Sequence, residues 1–415
     1  MKMPIQVNHE WNRPYIPTGG AEKVFLLLEC KGIAGVQVNR APINLSLVLD
    51  RSGSMSGDPL QFSKKACQFV ITQMSAQDTL SLVAFDNEVT TVFPPQAVIH
   101  KDAMKQHVEQ IQAGGSTNLS GGMLQGIQHV MQNKKDGVVQ RVIVLSDGHA
   151  NEGITDQAKL GAIAREFQSA GIGISTMGVG DGFDEELMET IADNGGGNFY
   201  YIQKPDDIPS IFNKELSGLL SVVAQNVQLK LKPSETAIIT NIYGYKATDA
   251  DGEITISLGD VFDQEEKSIL LEMAFYPHSP GEHPVLEVEW QFVDVTQGAN
   301  LCQIKSDVKL HFTNDINLIN QPANMKVEKQ VQITESAKAI EEAMLLFDTG
   351  NLDHAKGMLK QQADKMLQMA IQCNDLELRE ESEMLYNQLE QLTPTSASRK
   401  ALHEQKYRQM KRKKK

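Results

Sequence analysis

A carboxylate and two hydroxyls follow an apolar run at i, i+2 and i+4. Asp50, Ser52 and Ser54 come directly after residues 43–49, which lack Pro and Gly and have the length of a strand buried on both faces. Open α/β sheets place ligand sites at the carboxyl ends of such strands. Hard oxygen donors suit Mg²⁺, Mn²⁺ or Ca²⁺. The segment therefore predicts a divalent-cation site, although Asp-Ser-Gly clusters also form simple Asx turns.

Two distant stretches supply further oxygen donors. GGSTNLSGG, residues 114–122, places Thr117 in a Gly-rich loop before a helical pattern. RVIVLSDG, residues 141–148, is a second apolar strand that ends in Asp147. If both segments lie at the same edge of one sheet, their side chains join the first three, which favours a cation site over an isolated turn.

These motifs resemble the von Willebrand factor A domain with a metal-ion-dependent adhesion site. The resemblance covers roughly residues 43–222, and all five motif positions are present in order. The DxSxS loop of that family, its separate threonine and its second aspartate match Asp50, Ser52, Ser54, Thr117 and Asp147.

The resemblance implies a function as well as a fold. In the family the two serines, and often the threonine, bind the cation directly, and the aspartates act mainly through water. The outward position of the cation then stays open for a carboxylate of a partner protein. We therefore expect Mg²⁺, with Mn²⁺ or Ca²⁺ fitting the same oxygens, and a protein ligand that presents Asp or Glu. Arg51, Met55 and His149 are expected at the rim, where His149 can equally be a plain solvent-facing residue.

The rest of the chain predicts three further regions. Strands alternate with helices over residues 43–222, which predicts a doubly wound, mostly parallel sheet. Short alternating strands over 223–320 predict an antiparallel β-sandwich, which the strands of residues 1–42, at 24–29 and 35–39, would complete. The α/β unit would then be inserted in the sandwich. Apolar stripes predict a helical segment over 330–393.

The C-terminal residues 394–415 are polar and basic. Nine basic residues and one Glu from Arg399 onward give a local charge of +8, in a chain whose net charge is −14, so the remainder carries −22. The tail predicts a solvated, disordered segment. The acidic body argues against a nucleic-acid-binding surface over most of the chain.

Composition also predicts the compartment. No apolar run approaches the roughly 20 residues of a transmembrane helix, and the first residues lack the apolar core of a signal peptide. The four cysteines are scattered and form no CxxC, which is typical of free thiols in a reducing compartment. We expect a cytoplasmic protein.

Alternative functions remain open at this point. Haloacid-dehalogenase-type phosphatases also place Asp and Mg²⁺ after a first strand, but they need a second carboxylate where this chain has Ser52. No GxxxxGK[ST], Gly-x-Ser-x-Gly or HExxH motif occurs. We therefore predict no catalytic residue and a non-enzymatic binding protein. A scaffold that works through its C-terminal helices is the other reading.

Overall fold

The structure is a computed structural model, and it describes residues 3–34, 40–296, 298–391 and 395–411. The chain opens with three strands, β1 (Ile5–Trp11), β2 (Tyr15–Pro17) and β3 (Ala21–Gly32). The expected strand at 35–39 lies outside the described residues. In β3, seven consecutive residues from Val24 to Cys30 are buried. A strand covered on both faces needs partners from elsewhere in the chain.

The α/β unit follows. Its elements are β4 (Ile43–Asp50), α1 (Asp58–Gln73), β5 (Thr79–Phe85), β6 (Val89–Ala97), α2 (Lys101–Glu109), α3 (Leu119–Gln132), β7 (Val139–Ser146), α4 (Gln157–Ser169), β8 (Gly173–Val179), α5 (Glu185–Asn194), β9 (Gly196–Ile202) and α6 (Ile208–Leu219).

The sheet of this unit has the order β6-β5-β4-β7-β8-β9. All neighbours run parallel except β5 and β6, which form an antiparallel hairpin. Every residue of β4 and β7 is buried, because helices cover both faces of the sheet. The chain leaves β4 first toward β5 and later returns to β7 on its other side. The carboxyl ends of β4 and β7 therefore meet at the switch point of the sheet.

The β-sandwich is built from both sides of this insertion. Its later strands are β10 (Val222–Pro233), β11 (Ala237–Tyr243), β12 (Ala247–Ala250), β13 (Glu253–Phe262), β14 (Glu266–Phe275), β15 (Gly281–Asp294) and β16 (Asn300–Thr313). One sheet has the order β1-β3-β14-β11 and the other β12-β13-β10-β15-β16-β2. The N-terminal strands thus pair with the later ones, and the predicted fold class, an α/β unit inserted in an antiparallel sandwich, is confirmed.

A buried ion pair joins the α/β unit to the sandwich. Nη2 of Arg141, on β7, lies 2.6 Å from Oδ2 of Asp260, on β13, and both side chains are almost fully covered. The main chains of Gly196 and Gly259 also touch, since a Cβ on Gly259 would collide with the carbonyl of Gly196. The two units share an interface that includes main-chain contact.

Helices complete the chain. They are α7 (Ile316–Ile319), α8 (Met325–Asp348), α9 (Leu352–Cys373), α10 (Leu376–Gln391) and α11 (Ser396–Lys411). The helical region thus begins before the predicted residue 330, because Asn324 caps α8 by accepting from the N–H of Lys326. The apolar stripes of α8, α9 and α10 pack on one another around Ile340, Leu359 and Leu385. Leu392, expected in the last stripe, lies outside the described residues.

The expected disordered tail is corrected over residues 395–411. Residues 396–411 form α11, in which Leu402 and Tyr407 are buried. Basic residues of this helix pair with acids of α5, for example Lys411 with Asp193 at 3.0 Å. The prediction considered only the charge of the tail, and did not consider that acidic residues elsewhere in the chain could pair with it. No helix of the described residues is long and apolar enough to cross a membrane.

Candidate metal centre

Asp50 is the last residue of β4 and is fully buried at the carboxyl end of that strand. Its Oδ1 accepts a 2.8 Å hydrogen bond from the N–H of Ser52, and its Oδ2 accepts from the hydroxyl of Ser146. Burial raises the pKa of Asp50 to about 6, although both of these hydrogen bonds favour the ionised form. The protein therefore orients this carboxylate through two hydrogen bonds.

The two serines of the first loop converge on the second aspartate. The hydroxyl oxygens of Ser52 and Ser54 lie 3.1 Å apart, and the Ser54 hydroxyl donates to Oδ1 of Asp147 at 2.7 Å. Burial raises the pKa of Asp147, and the hydrogen bond from Ser54 opposes that shift. Ser52 is buried and Ser54 is exposed. The cluster thus has a covered side and a side that faces solvent.

Thr117 adjoins the same cluster through the segment after Asp147. A Cβ placed on Gly148 would stand 2.9 Å from Oγ1 of Thr117. The main chain of Thr117 is fixed on both sides, because its N–H donates to Oδ1 of Asn151 at 2.9 Å and its carbonyl accepts from the N–H of Asn151 at 3.2 Å. All three predicted segments therefore meet at one edge of the sheet.

Main-chain hydrogen bonds hold the first loop to the threonine loop. The N–H of Gly53 donates to the carbonyl of Gly115 at 2.9 Å, and the N–H of Gly114 donates to the carbonyl of Arg51 at 2.7 Å. Gly114 is required by close approach, because a Cβ there would collide with the carboxylate of Asp86. These contacts fix the distance between the segments that carry the predicted ligands.

Asp86 has two roles beside the predicted ligands. It closes the β5–β6 turn by accepting from the N–H of Glu88 at 2.8 Å, and it accepts from the N–H of Gly115 at 3.3 Å. It also forms an ion pair of 3.3 Å with Arg51. The carboxylate therefore braces both loops around the site.

The expected rim is corrected at one position. Met55 is fully buried in the apolar core beneath the sheet, so it cannot form part of the rim. Its place in the first loop led to the rim prediction, but a short 3₁₀ turn at Gly53–Met55 directs it inward. His149 is exposed and Arg51 is half-buried, so both remain candidates for the rim.

Sequence reasoning missed supporting residues around the site. Ser146 is fully buried and holds Asp50, and Ser116 donates to the carboxylate of Glu152. Asn151 holds the main chain of Thr117. Ser146 was visible as a hydroxyl at the end of a buried strand, next to Asp147. The partners of Asn151 and Glu152 depend on loop conformation, which spacing along the chain does not reveal.

The donor set fits a hard divalent cation. The predicted ligands offer only oxygen, from two carboxylates and three hydroxyls, which matches the preference of Mg²⁺ and related ions. Within the described residues neither Asp50 nor Asp147 receives a hydrogen bond from a basic side chain. In that part of the chain no group of three or more His, Cys, Asp or Glu is placed to hold a metal ion. The hydroxyls are therefore essential to any cation site here.

Comparison with known sequences identifies the type of the α/β unit. The profile of the von Willebrand factor type A domain matches residues 44–214, the same part of the chain that forms the α/β unit. Residues 44–214 form a von Willebrand factor type A domain. Such domains commonly mediate protein–protein interaction. In this one, the predicted ligands lie at the carboxyl edge of the central sheet: at and just after the end of β4, just after β7, and in the loop before α3.

Curated relatives extend beyond this type A domain. "Uncharacterized protein sll0103" of Synechocystis sp. is 28% identical over 74% of this chain and 71% of its own length. Inter-alpha-trypsin inhibitor heavy chain H1 of Sus scrofa is 26% identical over 54% of this chain and 26% of its own. The E3 ubiquitin-protein ligase WAV3 of Arabidopsis thaliana is 24% identical over 61% of this chain and 34% of its own. The chain therefore spans only about a third or less of the last two proteins.

Two solved structures share the whole architecture. A von Willebrand factor type A protein from Catenulispora acidiphila has a TM-score of 0.79 and 17% identity, covering 99% of this chain and 97% of its own. The ArnB paralog VWA2 from Sulfolobus acidocaldarius has a TM-score of 0.65 and 16% identity, covering 99% and 98%. The sandwich and the C-terminal helices therefore accompany the type A domain in other chains.

Proposed function

We propose that this protein binds other proteins through a divalent cation, most readily Mg²⁺, held by the predicted ligands of its type A domain. The observation that carries the proposal is the contact of Ser54 with both Ser52 and Asp147, which brings two distant segments to one point. When bound, the cation supplies an electrophilic position that a carboxylate of a partner protein can fill. The burial and the charge of the predicted ligands determine whether that position is accessible and how strongly it attracts an anion.

The burial of the ligands gives the site its direction. Asp50 is fully buried, whereas Ser54 is exposed, so a partner can approach only from the side of the serine. The N–H of Ser52 and the hydroxyl of Ser146 hold the carboxylate of Asp50 in the orientation that a cation needs. Supporting hydrogen bonds of this kind commonly contribute ~10–100-fold to metal affinity.

The charge of the ligand set favours an acidic partner. If the hydroxyls bind the cation directly and the two carboxylates act mainly through water, the directly bound ligands are neutral and the cation keeps positive charge toward solvent. A carboxylate from a partner's Asp or Glu is then attracted to it. We expect the interaction to require the cation and to be reversed by EDTA.

An enzymatic function receives no support from the site. Ser52 occupies the position where a phosphohydrolase would carry its second carboxylate, and a serine hydroxyl cannot act as general acid or base near neutral pH. The relative WAV3 is named as an E3 ubiquitin-protein ligase, but this chain covers only 34% of it. We propose a binding protein without catalytic residues.

The helical segment offers a second binding surface. Ile371 at the end of α9 and Leu376 at the start of α10 are each 73% exposed, which is unusual for large apolar side chains that lie so close together. A scaffold acting through these helices is the second candidate function. Capture of a partner by the Ile371→Ser/Leu376→Ser variant as well as by wild type would argue against it.

Isothermal titration of the full chain with Mg²⁺ tests the proposal. Wild type should bind one equivalent, and the Ser52→Ala/Ser54→Ala variant should lose that binding while keeping its circular dichroism spectrum. Ser56→Ala is the matched control, because Ser56 is an exposed serine two residues from Ser54. Equal Mg²⁺ affinity in wild type and in the double variant would overturn the proposed site.

A further inference from the structure

The loop between β8 and α5 touches the metal centre from behind. A Cβ on Gly182 would stand 2.6 Å from the carbonyl oxygen of Asp147, so the two main chains are already at their closest approach. This contact leaves Asp147 no room to move toward the loop. The position of the loop therefore limits the position of the aspartate.

The same loop is held on its other side by the C-terminal helix. Lys400 of α11 is only 2% exposed, and its ammonium donates to the carbonyl of Phe183 and to Oε2 of Glu185, the latter at 2.8 Å. The ammonium also lies 3.9 Å from the centre of the Phe183 ring. A buried ammonium with such partners fixes the residue that follows Gly182.

The contact is anchored well beyond this one residue. Phe183 is fully buried, with its ring centre 5.9 Å from that of Tyr201, whose hydroxyl donates to Asp181 at 3.0 Å. Further along α11, Lys411 pairs with Asp193 on α5 at 3.0 Å. On its other side α11 is tied to α8, since Arg399 lies 2.9 Å from Asp348. The helix thus bridges the helical segment and the type A domain.

We propose that Lys400 is a positioning residue for the metal centre: docking of α11 holds the β8–α5 loop against Asp147 and so sets the affinity for the cation. The proposal rests on the function proposed above and adds a means of regulation to it. Docked and undocked α11 are the two states, and they differ in the freedom of the loop. By linkage, cation binding then favours docking, and a partner that removes α11 weakens cation binding.

Lys400→Met in the full chain tests this role, because it keeps the length and apolar stem of the side chain but removes the charge and the donor. Lys406→Met is the matched control, because it removes one positive charge from the same helix. Lys406 pairs with Glu189 on α5, at 3.5 Å, and not with the loop. Two readouts are needed: Mg²⁺ affinity by titration calorimetry, and amide hydrogen exchange of residues 180–184 in metal-free protein.

Lys400→Met should weaken Mg²⁺ binding by about tenfold, the lower end of the range for residues that support metal ligands. It should also speed exchange at 180–184. Lys406→Met, which removes a longer contact of α11 with α5 and leaves the loop contacts in place, should change both much less. Wild-type affinity together with wild-type exchange in Lys400→Met would overturn the proposal. If Lys400→Met fails to fold, Glu185→Gln, which removes the negative charge that faces the ammonium instead, is measured in the same way.

The two proposals fail in different ways. If wild type binds no Mg²⁺, the proposed function fails, and the exchange rates alone then decide whether Lys400 holds the loop. If wild type binds Mg²⁺ and the loop exchanges faster in Lys400→Met with unchanged affinity, the loop contact is real but does not set the affinity, and the regulatory role is rejected.

Discussion

The hydroxyl of Ser54 donates a 2.7 Å hydrogen bond to the carboxylate of Asp147, a residue 93 positions later in the chain. The contact joins the segments that follow β4 and β7, and it gives the carboxylate a neutral hydrogen-bond donor. Burial raises the pKa of Asp147, so its negative charge is costly without a cation. This balance leads to the first prediction.

Asp147→Asn should have opposite effects with and without Mg²⁺. Without the cation, the variant should be at least as stable as wild type, because the buried charge is gone. With Mg²⁺ at about 100 times its dissociation constant, wild type should gain about 2.7 kcal/mol and the variant much less. Urea unfolding in Mg²⁺ and in EDTA measures both. Equal Mg²⁺ stabilisation of the two proteins would remove Asp147 from the site.

Gly182→Ala should destabilise the protein by about 1–3 kcal/mol, because the added Cβ meets the main chain of Asp147, which cannot give way as a flexible side chain can. Gly357→Ala is the contrasting control: it lies in α9 with nothing within 4 Å of the added Cβ, so it should stabilise by about 0.5–1 kcal/mol. Thermal unfolding monitored by circular dichroism compares the two. If both substitutions stabilised the protein, the close approach of Gly182 to the main chain of Asp147 would be contradicted.

Arg141→Met should cost about 3–5 kcal/mol in the free energy of unfolding, because it leaves the buried carboxylate of Asp260 without its partner. Arg141→Met/Asp260→Leu should recover part of that loss, since no uncompensated charge remains. Lys309→Met breaks an exposed pair with Glu282 and should change stability by less than about 1 kcal/mol. Denaturant unfolding of the three variants gives the comparison. A double variant no more stable than Arg141→Met would contradict this account.

Acid should weaken the docking of α11 through Glu185. Although burial opposes ionisation, hydrogen bonding and attraction from Lys400, together with the charge of Arg399, keep the pKa of Glu185 below its ordinary value of 4.5. The unfolded state therefore takes up the proton first as pH falls, so the stabilisation is complete at neutral pH and is lost below about 4.5. Glu185→Gln should be less stable than wild type at pH 7.

The difference between wild type and Glu185→Gln should shrink as the pH is lowered from 7 to 3, as measured by urea unfolding at each pH. Glu186→Gln serves as control, because Glu186 is a more exposed neighbour that meets Arg399 at 3.3 Å but not Lys400. A difference that stays constant over this range would exclude the ionised carboxylate of Glu185 as its cause.

Local patterns in the sequence predicted most of the α/β unit. The alternation of apolar strands with amphipathic helices reflects burial on both faces of a sheet, and the elements from β4 to α6 lie within the predicted range of 43–222. The motif spacing also predicted which residues of the site come together, because parallel strands end at a common edge. Ser52, Ser54 and Asp147 meet there, while their role as metal ligands stays a prediction.

Long-range contacts explain what the sequence did not predict. The tail was expected to be disordered because its charge was counted in isolation, whereas Lys400 finds its partners more than 200 positions earlier. Met55 was placed at the rim because it lies in a polar loop. A local turn determines the direction of its side chain, and the sequence did not reveal that turn. The docking of a C-terminal helix on a distant part of the chain, and the direction of one side chain in a turn, produce no periodic pattern of apolar residues in the sequence.

The buried pair of Arg141 and Asp260 also bears on how this protein can be dissected. Residues 44–214 include Arg141 but not Asp260, and they include Phe183 but not Lys400. A fragment cut at those limits leaves the buried guanidinium of Arg141 without its carboxylate and the ring of Phe183 without the Lys400 ammonium. Affinities measured on such a fragment would lack both contacts, so binding experiments on this protein should use the full chain.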